Sequence, residues 1–148
     1  MVASSPSRQA LHLLVVAASG AEMERLRPVL GRSDEIHRVD SADFLRAALA
    51  DQPWDAVLYL SAVVALPLPN ALRQIEDAGL DLPLILVAGP AEESSLQRAM
   101  KAGARDVIDA DRLERLLPAI EREVREARHR ADHRAALEML NESQARFD

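Results

Sequence analysis

Two histidines near the end of the chain have a spacing that could bind a metal ion. His129 and His133 lie four residues apart, and on a helix this spacing places both imidazoles on one face. No third ligand accompanies them, and the residues that surround them are arginines: Arg128, Arg130 and Arg134. These neighbours favour a solvated helix face, so we predict no metal site and no cofactor here.

Few other side chains in the sequence could act as nucleophiles, bases or metal ligands. The chain has no cysteine, which excludes thiolate metal sites, disulfides and cysteine nucleophiles. His12 and His37 fall on predicted strands and have no nucleophile near them in sequence. Trp54 and Tyr59 have polar-tipped aromatic rings, but on or beside a buried strand such rings more often pack in a core than bind a ligand. The residues therefore do not predict an enzyme.

Composition narrows the class of protein. The chain has 148 residues, which suits one domain, and 49% of them are apolar while only 3% are aromatic. The formal net charge of −6 argues against a general nucleic-acid binder. No apolar run approaches the roughly 20 residues that span a bilayer, and residues 1–10 look like a disordered lead-in without signal-peptide features. The absence of cysteine is typical of a reducing cytoplasm.

Five apolar runs alternate with helical patterns along the chain. The runs are nearly continuous in apolar character, as expected for strands that are buried on both faces. Strands that alternate with helices of about a dozen residues predict right-handed crossovers and a parallel sheet. The predicted strands are residues 11–17, 36–39, 54–60, 82–88 and 104–108.

Capping residues and breakers set the predicted helix boundaries. Ser19 with Glu22 forms a capping box for a first helix that continues to about Leu30, with Pro28 as a possible kink. Asp40 and Ser41 cap the second helix. Glycines end the first, third and fourth helices: Gly31, Gly79 and Gly103.

The C-terminal part of the sequence predicts one long helix. After a helical turn over residues 111–117, Pro118 suits the first position of a helix that continues to about Asn141. Its second half is longer than the sheet requires and should project. A heptad seam predicts a parallel coiled-coil dimer through this half, although its first members must also cover the sheet. The seam consists of Ile120, Val124, Ala127 and Ala131, and Leu137, Met139 and Leu140 resume it less regularly.

Residues 11–126 resemble the receiver domain of bacterial response regulators. The similarity is strongest in PLILVAG, residues 83–89, and in AMKAGARDVI, residues 99–108, where a short AGA turn joins the fourth helix to the fifth strand. The resemblance implies a flavodoxin-like (βα)5 doubly wound parallel sheet with strand order 2-1-3-4-5.

Working receivers hold Mg²⁺ with carboxylates that follow strands 1 and 3, and they bind the phosphoryl group with a hydroxyl after strand 4 and a lysine after strand 5. Aligned by strands, this chain has only apolar residues at these positions. They are Ala17, Ala18, Leu60, Ala88 and Ala110, and the family's switch aromatic corresponds to Val107. The sequence therefore predicts a degenerate receiver, or pseudo-receiver, without phosphorylation chemistry.

A shift of one residue would put Ser61 at the acceptor position, but still without metal ligands or a base. Asp109 and Asp111 lie where the family has a cation, and their charge would repel a phosphoryl group. We expect Ala17, Ala18, Leu60 and Ala88 to pack together as an apolar plug that locks one conformation.

The last residues resemble the linker helix that leads into a sensory PAS domain. The segment ALEMLNESQARF, residues 136–147, carries this second likeness. The expected organisation is a lead-in at 1–10, a receiver-like domain at 11–127 and a projecting linker helix at 128–148. The resemblance implies the N-terminal part of a PAS, GGDEF and EAL protein of cyclic-di-GMP signalling, similar to the FimX-like regulators of type IV pili, cytoplasmic and located at a cell pole.

Two functions remain open from the sequence. In the first, the domain docks onto protein partners and transmits orientation or dimerisation through its last helix to PAS and cyclic-di-GMP modules, without nucleic-acid or membrane contacts. The resemblance places docking on the face of helix 4, strand 5 and helix 5, around Gln97, Lys101, Arg105 and Arg122. In the second, a small uncharged molecule binds at the strand edge that the phosphorylation site has vacated.

Overall fold

A five-stranded parallel sheet forms the centre of the protein. The computed structural model describes residues 10–31, 34–60, 66–88, 101 and 103–146. The strands lie in the order β2-β1-β3-β4-β5, which confirms the flavodoxin-like (βα)5 fold. Their bounds are β1 His12–Val16, β2 Glu35–Val39, β3 Ala56–Leu60, β4 Leu84–Ala88 and β5 Asp106–Asp109.

The apolar composition of the strands explains the position of the core. Every residue of β3 and β4 is buried, because helices cover both faces of a parallel sheet. Edge strand β2 instead alternates in exposure before the buried Val39. Alternate strand residues feed two apolar clusters. One lies on the side of the C-terminal helix and contains Leu13, Leu58 and Ile120, and the other lies beneath α2 and α3 and contains Leu14, Val57 and Ile75.

Three short helices follow the first three strands: α1 Gly20–Glu24, α2 Ala42–Asp51 and α3 Leu68–Asp77. The predicted caps are present, since Ser19 Oγ accepts from Glu22 N at 3.3 Å and Ser41 Oγ accepts from Phe44 N at 3.2 Å. The predicted length of the first helix is wrong. It ends at Glu24, and a 3-10 turn over Arg27–Val29 contains Pro28, which cannot donate an α-helical hydrogen bond.

The predicted fourth helix lies outside the described residues, apart from Lys101. The turn that follows it is described, and Gly103 has a φ of +119°, a left-handed conformation that favours glycine. After β5 the chain forms a 3-10 segment, Ala110–Arg115, in place of the predicted helical turn. Asp109 begins this segment by accepting a hydrogen bond from Asp111 N at 2.9 Å.

One continuous helix, Leu116–Arg146, ends the described chain. It starts two residues before the predicted Pro118, which lies in the first turn where a missing N–H is tolerated. Leu116, Ile120 and Val124 are buried against the sheet, while residues 131–142 are all exposed. Thirty-one residues give a helix roughly 46 Å long, so the second half extends beyond the sheet. Among the described residues, no helix combines the length and apolar character that crossing a membrane requires.

Candidate functional site

The carboxyl ends of the strands hold the positions that the sequence predicts to correspond to the phosphorylation site of receivers. Ala17 follows β1, Leu60 and Ala88 end β3 and β4, and Ala110 follows β5. The strand ends are level, because Leu60 pairs with Val87 and Ala88 pairs with Asp109 in the register of the sheet. The fold therefore brings these residue positions to one edge.

Packing at this edge is apolar. Ala17 is fully buried and belongs with Leu60 to the cluster beneath the C-terminal helix, and Ala110 packs against the same cluster. Ala88 is also buried, but it belongs to the cluster on the α2 and α3 side. Ala18 is exposed. The expected plug of Ala17, Ala18, Leu60 and Ala88 is thus wrong in part, because the alternation of strand residues sends Ala88 to the opposite face and leaves Ala18 outside the core.

Charged side chains occur at two places among the described residues of this edge, in a small cleft and at the start of the 3-10 segment. The described residues enclose a cleft of about 60 Å³ lined by Leu60, Val87 and Ala110, and its charged side chains are Glu22 and Arg25. Asp109 caps the 3-10 segment after β5. Ser61, the alternative acceptor, lies outside the described residues.

His129 and His133 are both exposed on the C-terminal helix. Within the described ranges, no group of three or more histidine, aspartate or glutamate side chains is arranged to hold a metal ion.

The aromatic residues with polar tips, Tyr59 and Trp54, contribute to packing. Tyr59 is buried, and its hydroxyl donates to Leu66 O at 2.7 Å. Burial raises the pKa of the Tyr59 hydroxyl above its ordinary value. Trp54 Nε1 donates to Ala48 O at 2.8 Å, and its ring contacts His37 on edge strand β2.

The face around β5 carries the predicted docking residues. Lys101 and Arg105 are exposed, Arg122 is half exposed and forms an ion pair with Asp106, and Gln97 lies outside the described residues. A groove of about 660 Å³ runs between β5 and the start of the C-terminal helix. Its cationic lining residues are Arg112, Arg115 and Arg122.

The heptad positions divide between core and solvent. Ile120 and Val124 are buried in the domain, Ala127 is partly buried and Ala131 is exposed. The prediction of Val124 as an interaction residue is therefore wrong, because the sheet already covers it. The large apolar side chains that remain exposed on this helix are Leu137, Met139 and Leu140.

Ion pairs attach the C-terminal helix to the opposite edge of the sheet, where the strands begin. Arg128 Nη2 lies 3.1 Å from Asp55 Oδ1, just before β3. Arg130 donates to both oxygens of Asp81, from Nε at 2.7 Å and from Nη2 at 3.0 Å. Arg134 Nη1 donates to Asp81 Oδ2 at 3.2 Å, and Arg105 Nη2 lies 3.8 Å from Asp81 Oδ1. One carboxylate thus contacts three guanidinium groups.

The electrostatics of Asp81 follow from these contacts. Hydrogen bonds from Arg130, and then from Arg134, hold the pKa of Asp81 below its usual value, although burial acts in the opposite direction. The same bond to Asp81 raises the pKa of Arg130.

Sequence reasoning missed this set of ion pairs. The sequence predicted that Arg128, Arg130 and Arg134 belong to a solvated helix face, but Arg130 binds Asp81. A signal was present, since Asp55 and Asp81 precede buried strands and Arg130 and Arg134 are one helical turn apart. Their contact depends on how the helix lies across the sheet, which local spacing does not determine.

Solved structures of receiver proteins share this fold. Full-length FixJ from B. japonicum superposes with a TM-score of 0.72 at 22% identity over 84% of this chain and 63% of FixJ. The receiver domain of a sensor histidine kinase from Pseudomonas aeruginosa, which has magnesium coordinated in its active site cleft, gives 0.66 at 19% identity over 78% of this chain and 98% of that domain. The signal receiver domain of an HD domain-containing protein from Pseudomonas fluorescens gives 0.70 at 18% identity over 82% of this chain and 99% of that domain.

At these identities the likeness shows the fold, which is that of response-regulator receiver domains. The chain spans less than two thirds of the length of FixJ. No protein-family model matches the chain, and no curated protein matches it.

Proposed function

We propose that this chain is a receiver-like signalling module that accepts no phosphoryl group and acts by binding other proteins. The observation that carries the proposal is the apolar character of the strand edge. Ala17, Leu60 and Ala88 are buried in the two core clusters at the positions where a working receiver needs carboxylates and a hydroxyl. Methyl and isobutyl groups offer Mg²⁺ no oxygen ligand and offer a phosphodonor no nucleophile.

The signalling context follows from the sequence resemblance. Residues 11–127 form the receiver-like domain, and residues 128–148 form a linker helix that leads to a PAS-type domain in a GGDEF and EAL regulator of cyclic-di-GMP signalling. Such a protein acts in the cytoplasm, at a cell pole, in type IV pilus motility. The projecting helix supports this role, because residues 131–142 are exposed and the helix continues for about three turns past Arg134, its last described ion pair with the domain.

Partner binding and dimerisation use different surfaces in this proposal. Protein partners dock on the β5 face, where Lys101 and Arg105 are exposed. A second copy pairs in parallel with the projecting helix, where Leu137 and Leu140 are exposed one turn apart. Their burial against a second copy would remove apolar surface from water.

A phosphodonor experiment tests the loss of phosphorylation. The protein is incubated with acetyl phosphate and Mg²⁺, and its intact mass is measured beside that of a working receiver treated in the same way. We expect a phosphoryl adduct on the working receiver and none on this chain. Brief treatment with hydroxylamine removes an acyl phosphate. A Mg²⁺-dependent adduct on this chain that hydroxylamine removes would overturn the proposal.

A further inference from the structure

The C-terminal helix changes its mode of attachment along its length. Its first turns bury Leu116, Ile120 and Val124 in the core cluster, so apolar packing fixes them. This apolar contact fades at the partly buried Ala127, and residues 131–142 are exposed. The contacts that continue past this point are ionic, from Arg128, Arg130 and Arg134.

The two acceptors of these arginines belong to segments that lead into buried strands of the sheet. Asp81 lies in the segment that leads into β4, and its side chain is only 20% exposed. Asp55 lies directly before β3, and its Oδ2 accepts a hydrogen bond from His12 N at 2.8 Å while Oδ1 pairs with Arg128. At the amino edge of the sheet, Asp55 is therefore anchored by the backbone of β1, and Asp81 is confined by its partial burial beside Arg105.

The hydrogen bonds at Asp81 have a geometry that can set the direction of the C-terminal helix. The guanidinium of Arg130 meets both carboxylate oxygens, and such a two-point contact fixes orientation as well as distance. Arg134 lies one turn further along the helix and binds the same carboxylate through Oδ2. Contacts from two successive turns to one partly buried carboxylate restrict the angle at which the helix axis leaves the sheet.

We propose that Asp81, assisted by Asp55, is an ionic latch that sets the direction in which the projecting half of the C-terminal helix leaves the domain. Ion pairs that are partly exposed weaken in salt and yield to competing ions, whereas buried apolar packing does not. The latch can therefore open while Val124 and Ile120 keep the start of the helix on the sheet. This inference deepens the proposed signalling role, because the direction of the linker is what a downstream domain would receive.

Distance measurements between spin labels test the latch, and the absence of native cysteine makes labelling specific. Labels are placed at Ala47→Cys on α2 and Met139→Cys on the projecting helix, both of them exposed positions. Labelled protein is diluted with unlabelled protein, so that distances between copies do not contribute. We expect a narrow distance distribution in the parent protein.

Asp81→Asn should open the latch. We expect the fraction of molecules whose label distance lies outside the parent peak to rise about fivefold. This is the change in population that the loss of a partly exposed ion-pair network should cause. The matched control is Asp77→Asn, which removes the same charge from an exposed carboxylate of α3 that has no ion-pair partner among the described residues. An Asp81→Asn distribution as narrow as the parent's, or equal broadening in the control, would refute the latch.

Salt provides a second measurement on the unmutated sequence. At about 1 M salt the screening length falls to about 3 Å, and the same broadening should appear while circular dichroism shows an intact fold. A distribution that stays narrow in salt would count against the latch even if Asp81→Asn did not fold. These distances are measured within one copy of the protein, so they test the latch alone. The latch can be refuted while the loss of phosphorylation and the dimerisation are supported, and the latch can be supported while those two are refuted.

Discussion

Arg130 and Asp81, which are 49 residues apart in the chain, are joined by two hydrogen bonds from one guanidinium to both oxygens of one carboxylate. This contact ties the long C-terminal helix to the segment before β4. The carboxylate is largely buried while Arg130 is about one-third exposed, so the pair is only partly screened by solvent.

The Asp81 network predicts a defined dependence of stability on pH. Because the arginines lower the pKa of Asp81, their stabilisation is present above the unfolded-state pKa of about 3.9 and is lost as the pH falls through the lower folded-state value. Near neutral pH, Asp81→Asn should lower the free energy of unfolding by about 1 kcal/mol, after allowance for the exposure of the arginines. Urea denaturation across the pH range measures this difference.

In acid, the parent and Asp81→Asn should converge, because a protonated aspartic acid and an asparagine are both uncharged. Asp77→Asn serves as the control and should change stability little at any pH. A difference between parent and Asp81→Asn that stays constant into acid would contradict the assignment.

Leu60→Asp tests the apolar strand edge by restoring the residue type of a working phosphoacceptor. The new carboxylate would enter a cluster that contains Ala17, and we expect it to cost about 3 kcal/mol or more of stability at neutral pH. Burial should raise its pKa, so stability should recover as the pH falls. Thermal melting at several pH values measures this.

Leu60→Asn provides the uncharged control for that substitution and should show a smaller cost without the recovery in acid. Mg²⁺ should not stabilise Leu60→Asp, because Ala17 and Ala18 supply no further oxygen ligands. A Mg²⁺-dependent rise in the melting temperature of this variant would show that the edge still contains a metal site.

The burial of Tyr59 predicts that the stability of the fold decreases in alkali. Because burial raises its pKa, the neutral phenol stabilises the fold below the unfolded-state pKa of about 10, and this contribution is lost as the pH rises through the folded-state value. Tyr59→Phe removes the bond to Leu66 O and should cost about 1 kcal/mol at neutral pH. The variant's stability should also fall less in alkali than the parent's does, and absorbance titration should show a late-titrating phenol in the parent alone. Titration of the folded parent at an ordinary tyrosine pKa would contradict this prediction.

Dimerisation should depend on one face of the projecting helix. Leu137 and Leu140 are three residues apart and share a face, while Met139 points elsewhere although it is more exposed. The double substitution Leu137→Lys with Leu140→Lys should give monomers in light scattering without changing the melting temperature of the domain. Met139→Lys should leave the dimer intact, and a parent protein that is monomeric at all concentrations would refute pairing through this helix.

The fold was predictable because its signals are local. Continuous apolar runs in 82–88 and 54–60 identified strands that are buried on both faces, and the caps at Ser19 and Ser41 lie within three residues of the groups that they bind. The early end of α1 was not predicted, because a tolerated kink and a complete break at Pro28 look alike in sequence. Val124 was misassigned because one heptad pattern serves both a core-facing helix and a dimer seam.

The apolar residues at the strand edge were determined by the sequence alone, since Ala17, Leu60 and Ala88 carry no ligand or nucleophile in any conformation. Tertiary structure decided how these residues divide between the two faces of the sheet and which arginines reach Asp81 and Asp55. The ion pairs of Arg128, Arg130 and Arg134 join residues 73, 49 and 53 positions apart. Such contacts depend on where a helix crosses a sheet, and that crossing is fixed by the packing of the whole core.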